Sequence, residues 1–116
     1  MAHKVRQGYL RGISFRVSVD SDTAQTNASV KTAPSAGYSI YLTDICVSMG
    51  ATSRAVQLLD GSAGTILWEV TPAANGIVTQ NLKTPIKLTA ATALCITTSG
   101  ASVGLFVDIC GFVAAD

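Results

Sequence analysis

Apolar and polar residues alternate one by one along most of this chain. The stretch ISFRVSV at residues 13–19 is an example, because every second residue in it is apolar. Successive side chains of a β-strand point to opposite sides, so this alternation predicts strands with one side towards a core. No stretch shows the 3.6-residue period of a convincing helix. The pattern therefore predicts an all-β protein.

Turn-forming residues divide the pattern into short strands. The clearest hairpin has the turn Asp60-Gly61-Ser62-Ala63-Gly64, which is rich in residues that tolerate positive φ. A change of parity after Leu42 predicts a β-bulge near Thr43. The predicted strands cover residues 13–19, 28–31, 38–49, 54–59, 65–70, 77–82, 86–88, 93–97 and 103–113.

Strands of this length and spacing are typical of an antiparallel β-sandwich. We expect a jelly-roll-like sandwich of about eight strands that forms a single domain over residues 12–116. Residues 1–11 precede the first strand as a basic N-terminal arm. Trp68 lies in the middle of a strand, where we expect it to be buried in the core.

Composition favours a chain that packs against other chains. Of the 116 residues, 48% are hydrophobic and only 13% are charged, whereas about 25% are charged in an ordinary soluble protein. There is no apolar run behind the basic start, so we expect neither export nor a membrane span. Three cysteines without an export signal are expected to be reduced when the protein is made in the cytoplasm.

The residues that catalysis needs are scarce. The one histidine is His3, near a chain end that is normally mobile, and Asp20-Ser21-Asp22 lacks the glycine and glutamate of a calcium loop. No phosphate-binding glycine loop, nucleophile elbow or dinucleotide fingerprint is present. We therefore predict no enzyme activity, no catalytic residues and no cofactor.

The tripeptide Asp-Ile-Cys occurs twice, at 44–46 and at 108–110. Strand parity directs both isoleucines to the core and both Asp and Cys pairs away from it, and Cys95 has the same relation to its neighbours. If the strands shared one sheet, three thiols could approach each other. A zinc site normally has cysteines in close pairs, which are absent here, so we predict no metal and no obligatory disulfide. The repeat is interpreted as strand patterning at an interface.

Basic residues are concentrated at the start of the chain, while the remainder is slightly acidic. The predicted arm contains an apolar pair with nothing local to pack against. An arm that reaches across a negatively charged protein neighbour fits this pattern better than phosphate contact, so we do not expect nucleic-acid binding. The predicted partner-binding residues are Lys4, Arg6, Tyr9, Leu10 and Arg11.

Four segments resemble small bacteriophage and prophage virion proteins with a jelly-roll sandwich, among them head decoration (cement) proteins and fibre-tip domains. These segments are YLTDICVS, VQLLDGSAGTILWEV, LKTPIKLTAATALCITTSG and SVGLFVDICGFVAA, all from residue 41 onward.

The resemblance implies a non-enzymatic structural role on the capsid exterior, commonly as a homotrimer that clamps the major capsid protein. The alternative that it implies is a fibre-tip module of a phage tail that binds a receptor or glycan. The absence of a coiled-coil or repetitive stalk favours the capsid over the fibre.

Overall fold

The computed structural model describes residues 12–116, and the strands in this range form two four-stranded antiparallel sheets. They are β1 (Ile13–Ser21), β2 (Ala28–Lys31), β3 (Tyr38–Ser48), β4 (Val56–Asp60), β5 (Thr65–Val70), β6 (Ile77–Lys87), β7 (Leu94–Thr98) and β8 (Leu105–Ala115). Sheet A has the order β1-β8-β3-β6 and sheet B the order β2-β7-β4-β5. Within residues 12–116, no helix is long and apolar enough to cross a membrane.

The chain moves from one sheet to the other at every connection except the β4–β5 hairpin. Eight strands arranged in this way in two facing antiparallel sheets are a jelly roll. The predicted fold class, an all-β antiparallel jelly-roll sandwich of about eight strands, is confirmed.

The core lies between the two sheets and is built from the inward half of the alternating pattern. Trp68 packs against this core, although it remains partly exposed. The largest side chains with almost no accessible surface are Ile40, Leu42, Ile45, Val47, Val56, Leu58, Leu88, Leu94, Ile96, Leu105, Val107 and Ile109.

The predicted bulge near Thr43 is confirmed, and it changes the interpretation of β6. Asn81 pairs with Asp44 and Ile86 pairs with Leu42, so residues 82–85 lie opposite Thr43 alone. Residues 77–82 and 86–88 were therefore wrongly predicted as separate strands. A proline within β6 is tolerated because the strand is at the edge of sheet A, where it has a neighbour on one side only.

The predicted start of the last strand at residue 103 is wrong. β8 begins only at Leu105, and Gly104 before it has a φ of +90°, which interrupts the alternation. Val103 consequently lies in the preceding loop with 67% of its surface exposed.

Candidate functional site

The outer face of sheet A carries the polar half of the alternating pattern. Register aligns its side chains into four rows that run across β1, β8, β3 and β6 in that order, and the side chains of these rows are exposed or half-buried. Ser39 and Ala114, which pair next to the Phe112–Tyr41 row, are buried. The rows are Ser14–Phe112–Tyr41–Lys87, Arg16–Cys110–Asp44–Asn81, Ser18–Asp108–Cys46–Thr79 and Asp20–Phe106–Ser48–Ile77.

The two Asp-Ile-Cys tripeptides face each other in the middle of this sheet. Asp44 lies opposite Cys110 and Cys46 lies opposite Asp108, while Ile45 pairs with Ile109 and both isoleucines are fully buried. The predicted orientation, with isoleucine towards the core and Asp and Cys away from it, is confirmed. The repeat thus provides matching strand pairs at the centre of the outer face.

The three thiols do not lie together. Cys46 and Cys110 are half-buried free thiols on the outer face of sheet A, whereas Cys95 belongs to β7 of sheet B and is 3% exposed. Burial raises the pKa of the Cys95 thiol. Within the described range, no group of three or more His, Cys, Asp or Glu side chains could hold a metal ion.

An ion pair joins the two middle rows across β1 and β8. The Arg16 Nε group donates to both carboxylate oxygens of Asp108 at 3.0 Å, and Nη2 lies 2.7 Å from Oδ2. The hydrogen bond to Asp108, followed by the attraction between the charges, raises the pKa of Arg16. Asp44 accepts a hydrogen bond from the Thr43 hydroxyl at 2.9 Å and remains exposed. The centre of the face therefore contains one neutralised pair beside one exposed carboxylate.

Aromatic rings occupy one end of the face. Tyr41 and Phe112 stack with ring centroids 4.8 Å apart and an interplanar angle of 8°. Beside them Lys87 pairs with Asp116, which also accepts a hydrogen bond from Ser39. The hydrogen bond from Lys87 lowers the pKa of Asp116, so this pair is intact at neutral pH and is lost as the pH falls through that lowered value.

The opposite end of the face is apolar. Phe106 is 36% exposed and Ile77 is 68% exposed, and they lie on either side of Ser48 in one row. Val103 is close to the same end, because the Ala51 backbone N–H donates to the Val103 carbonyl 3.0 Å away, just beyond β3. The outer face thus has a polar centre and apolar side chains at both ends, where they lie beside Asp20 at one end and the Lys87–Asp116 pair at the other.

The outer face of sheet B differs because a turn of the chain folds back over part of it. The Ala63 backbone N–H in the β4–β5 turn reaches the Asn27 side chain at 3.1 Å. Cys95 and Leu59 in the neighbouring row are accordingly only 3% and 4% exposed. Within residues 12–116, sheet A leaves the four rows of its outer face uncovered, and only Ser39 and Ala114 on that face are buried.

A groove of about 470 Å³ lies at the edge of the sandwich where β1 begins. Its walls include Ile13, Phe15, Pro34 and Tyr38, and the Lys31 ammonium lies 4.9 Å from the centre of the Phe15 ring.

The predicted partner-binding residues of the arm lie outside the described residues. These residues are Lys4, Arg6, Tyr9, Leu10 and Arg11. The candidate surface on sheet A was partly missed by sequence reasoning. Strand parity was sufficient to place its cysteines and aspartates outward, but not to align them in rows.

The strand order defines the class of this protein as an eight-stranded jelly-roll sandwich. No protein-family model matches the chain, and a search of curated proteins finds no match.

Similar solved structures include the coat protein of tobacco streak virus, at 10% identity over 88% of this chain and 86% of that one, with a TM-score of 0.46. The virus-like particle of the Macrobrachium rosenbergii extra small virus matches at 10% identity over 89% and 78%, with a TM-score of 0.42. A carbohydrate-binding module of Cellvibrio mixtus lichenase 5A matches at 10% identity over 88% and 97%, with a TM-score of 0.39. These values assign the chain to none of the three families.

Proposed function

We propose that this chain is a structural virion protein, namely a decoration (cement) protein on the exterior of a bacteriophage head. In this proposal it acts as a homotrimer that contacts the major capsid protein and stabilises the shell, and it has no catalytic role. The resemblance of four strand-bearing segments to phage virion proteins supports the proposal. The observation that carries it is the uncovered outer face of sheet A.

The composition of this face suits contact with another protein. Protein interfaces are enriched in aromatic side chains relative to the rest of the surface. Here Tyr41 and Phe112 lie at one end and Phe106 and Ile77 at the other. These apolar side chains can be covered by a partner at little desolvation cost, whereas Asp20 beside Phe106 and the Lys87–Asp116 pair beside Tyr41 favour the solvated rim of a contact.

The polar centre of the face can also be covered. Arg16 and Asp108 neutralise each other within the sheet, so a partner does not have to supply a charge for either. Within residues 12–116, the side chain of Asp44 has the Thr43 hydroxyl as its hydrogen-bond partner. A partner that covers it would have to supply a donor or a cation, because an unpaired buried carboxylate is costly. The capsid surface that fits this face is therefore apolar with a basic group near Asp44.

Introducing a charge at the apolar end should remove the protein from particles. We expect Phe106→Glu to lower occupancy on purified heads about tenfold or more, because a carboxylate would be buried against the partner. Ile66→Glu is the matched control, since Ile66 is an exposed apolar residue, 48% accessible, on the outer face of sheet B. Occupancy is measured by electron microscopy and quantitative gel analysis, after circular dichroism has verified the fold of each variant.

Full occupancy of the Phe106→Glu variant would contradict docking through this face. Absence of the unmodified protein from purified heads, together with unchanged head stability, would contradict the decoration role itself. Adsorption of the protein to host cells in that case would favour the fibre-tip alternative.

The basic arm is the second part of the proposal. Deleting residues 2–10 should leave the sandwich folded and reduce its occupancy on heads, because the apolar Tyr9-Leu10 pair and the basic groups would no longer contact the capsid. The apolar contribution should resist salt, whereas exposed ion pairs contribute about 0–1 kcal/mol each and weaken with salt. Leu10→Ala should therefore lower occupancy more than Arg6→Ala. Undiminished occupancy after the deletion would show that docking uses the sandwich surface alone.

A further inference from the structure

The first half of β6 is an edge that the described part of the chain leaves without a second neighbour. β6 is the last strand of sheet A and pairs only with β3. Over Ile77–Asn81 this pairing is regular, so alternate residues direct their backbone N–H and C=O groups away from the sheet. Groups of this kind are a template for another extended strand.

This half of β6 also lacks the features that normally protect an edge. The segment Ile77-Val78-Thr79-Gln80-Asn81 has no charge and no proline, and Ile77 is 68% exposed. The second half differs, because it contains Lys83, Pro85 and Lys87 and is bulged opposite Thr43. Proline, lysine and bulges are the usual means of preventing edge pairing.

The other edge strands in the structure are less suited to pairing. β1 carries Arg16 and Asp20, and β5 carries Glu69. β2 has four residues, ends in Lys31 and is irregular in its pairing with β7. The segment Ile77–Asn81 therefore differs from the edge strands β1, β2 and β5, because it is both regular in its pairing and uncharged.

We infer that the Ile77–Asn81 edge pairs antiparallel with the same edge of a second copy of this chain, about a two-fold axis. Identical uncharged segments meet without repulsion. An antiparallel arrangement places Lys83 and Lys87 of one copy beyond the other copy's Gly76 end, whereas a parallel arrangement would bring the lysines of the two copies side by side. Centred on Thr79, the pairing sets Ile77 of each copy opposite Asn81 of the other.

The contact is small and therefore weak. Five residues on each side bury less area than a standard protein interface, so association is expected in the micromolar to millimolar range. Pairing would join two copies of sheet A into one eight-stranded sheet. The outward side chains of β1 and β8 would remain accessible. The inference does not depend on the proposed function.

The test measures mass in solution as a function of protein concentration by light scattering and sedimentation. We expect a concentration-dependent doubling of mass for the unmodified chain. Thr79→Lys should abolish the doubling, since it places like charges opposite each other across the axis. For a chain that makes no other contact, loss of the two-fold contact halves the limiting mass. A homotrimer carries three such edges, so there the loss returns a double trimer or a larger assembly to the mass of the trimer.

Two controls make the test specific. Thr84→Lys introduces the same change at an exposed threonine in the protected half of β6, and it should leave the doubling intact. Thr79→Glu alone should also lose the doubling, but an equimolar mixture of the Thr79→Lys and Thr79→Glu variants should regain it. Circular dichroism verifies that each variant is folded.

A concentration-independent mass for the unmodified chain would overturn the inference, as would doubling that survives Thr79→Lys. Loss of doubling in both charged variants without recovery in the mixture would overturn the two-fold arrangement. None of these three results would change the occupancy expected for the Phe106→Glu variant on phage heads, because Phe106 lies on β8 and not at this edge.

Discussion

Replacing Ile109 with alanine is expected to lower the free energy of unfolding by about 4 kcal/mol, since removing a fully buried isoleucine side chain leaves a cavity in a close-packed core. Ile109 has no exposed surface and pairs across the sheet with Val17 on one side and Ile45 on the other. The loss is a large fraction of the stability of a typical domain. Urea unfolding followed by the fluorescence of Trp68 measures it, at one fixed protein concentration so that any association contributes equally.

Cys110→Ser is the control for this substitution, one residue further along β8. Its side chain points to the outer face and is half-buried, so the change should cost only about 1 kcal/mol. A second control, Ile45→Ala, should cost about as much as Ile109→Ala. The loss of unfolding free energy in the double variant should differ from the sum of the two single losses, because the residues are cross-strand neighbours. A cost below about 1 kcal/mol for Ile109→Ala would contradict its place in the core.

Gly111→Ala is expected to cost about 3 kcal/mol for a different physical reason. A Cβ atom at Gly111 would lie 2.1 Å from the Tyr41 backbone oxygen and 3.0 Å from the ring of Phe15. Gly111 pairs with Leu42 directly beside the bulge at Thr43. The obstacle is backbone and not the end of a flexible side chain, so relief requires the two strands to separate. Thermal and urea unfolding would measure the loss.

Gly37→Ala separates steric from conformational effects. Gly37 has a φ of +87° and no heavy atom within 4 Å of the site of a Cβ. Its substitution should therefore cost only the strain of a left-handed backbone, about 1–2 kcal/mol. Equal costs for the two glycine variants, or a Gly111→Ala variant as stable as the unmodified protein, would show that β3 and β8 are not held this closely.

The candidate surface and the candidate edge belong to the same sheet but make different demands on a partner. The outer face needs an apolar surface with a basic group near Asp44, whereas the Ile77–Asn81 edge needs an extended backbone. Phe106→Glu acts on the outer face, whereas Thr79→Lys acts on the edge and also places a lysine in the third row of the outer face. Particle occupancy of the Phe106→Glu variant therefore tests the outer face, and the solution mass of the Thr79→Lys variant tests the edge.

Alternation within the sequence determined the local features of this fold. Period-two patterning placed the strands, turned Ile45 and Ile109 inward with Cys46 and Cys110 outward, and its change of parity located the bulge at Thr43. These features depend only on the geometry of a single strand, in which successive side chains point to opposite sides. The all-β class followed for the same reason.

Tertiary structure alone decided which strands became neighbours. β3 and β8 are far apart in the chain but pair in sheet A, and β7 joins the other sheet, so Cys46 and Cys110 share a face while Cys95 is buried in sheet B. The continuity of β6 through Pro85 and the exposure of Val103 were likewise decided by pairing and by the turn at Gly104. Alternation encodes the direction of a side chain relative to its own strand. Neighbours and register arise from hydrogen bonds and core contacts between distant segments, which no local pattern specifies.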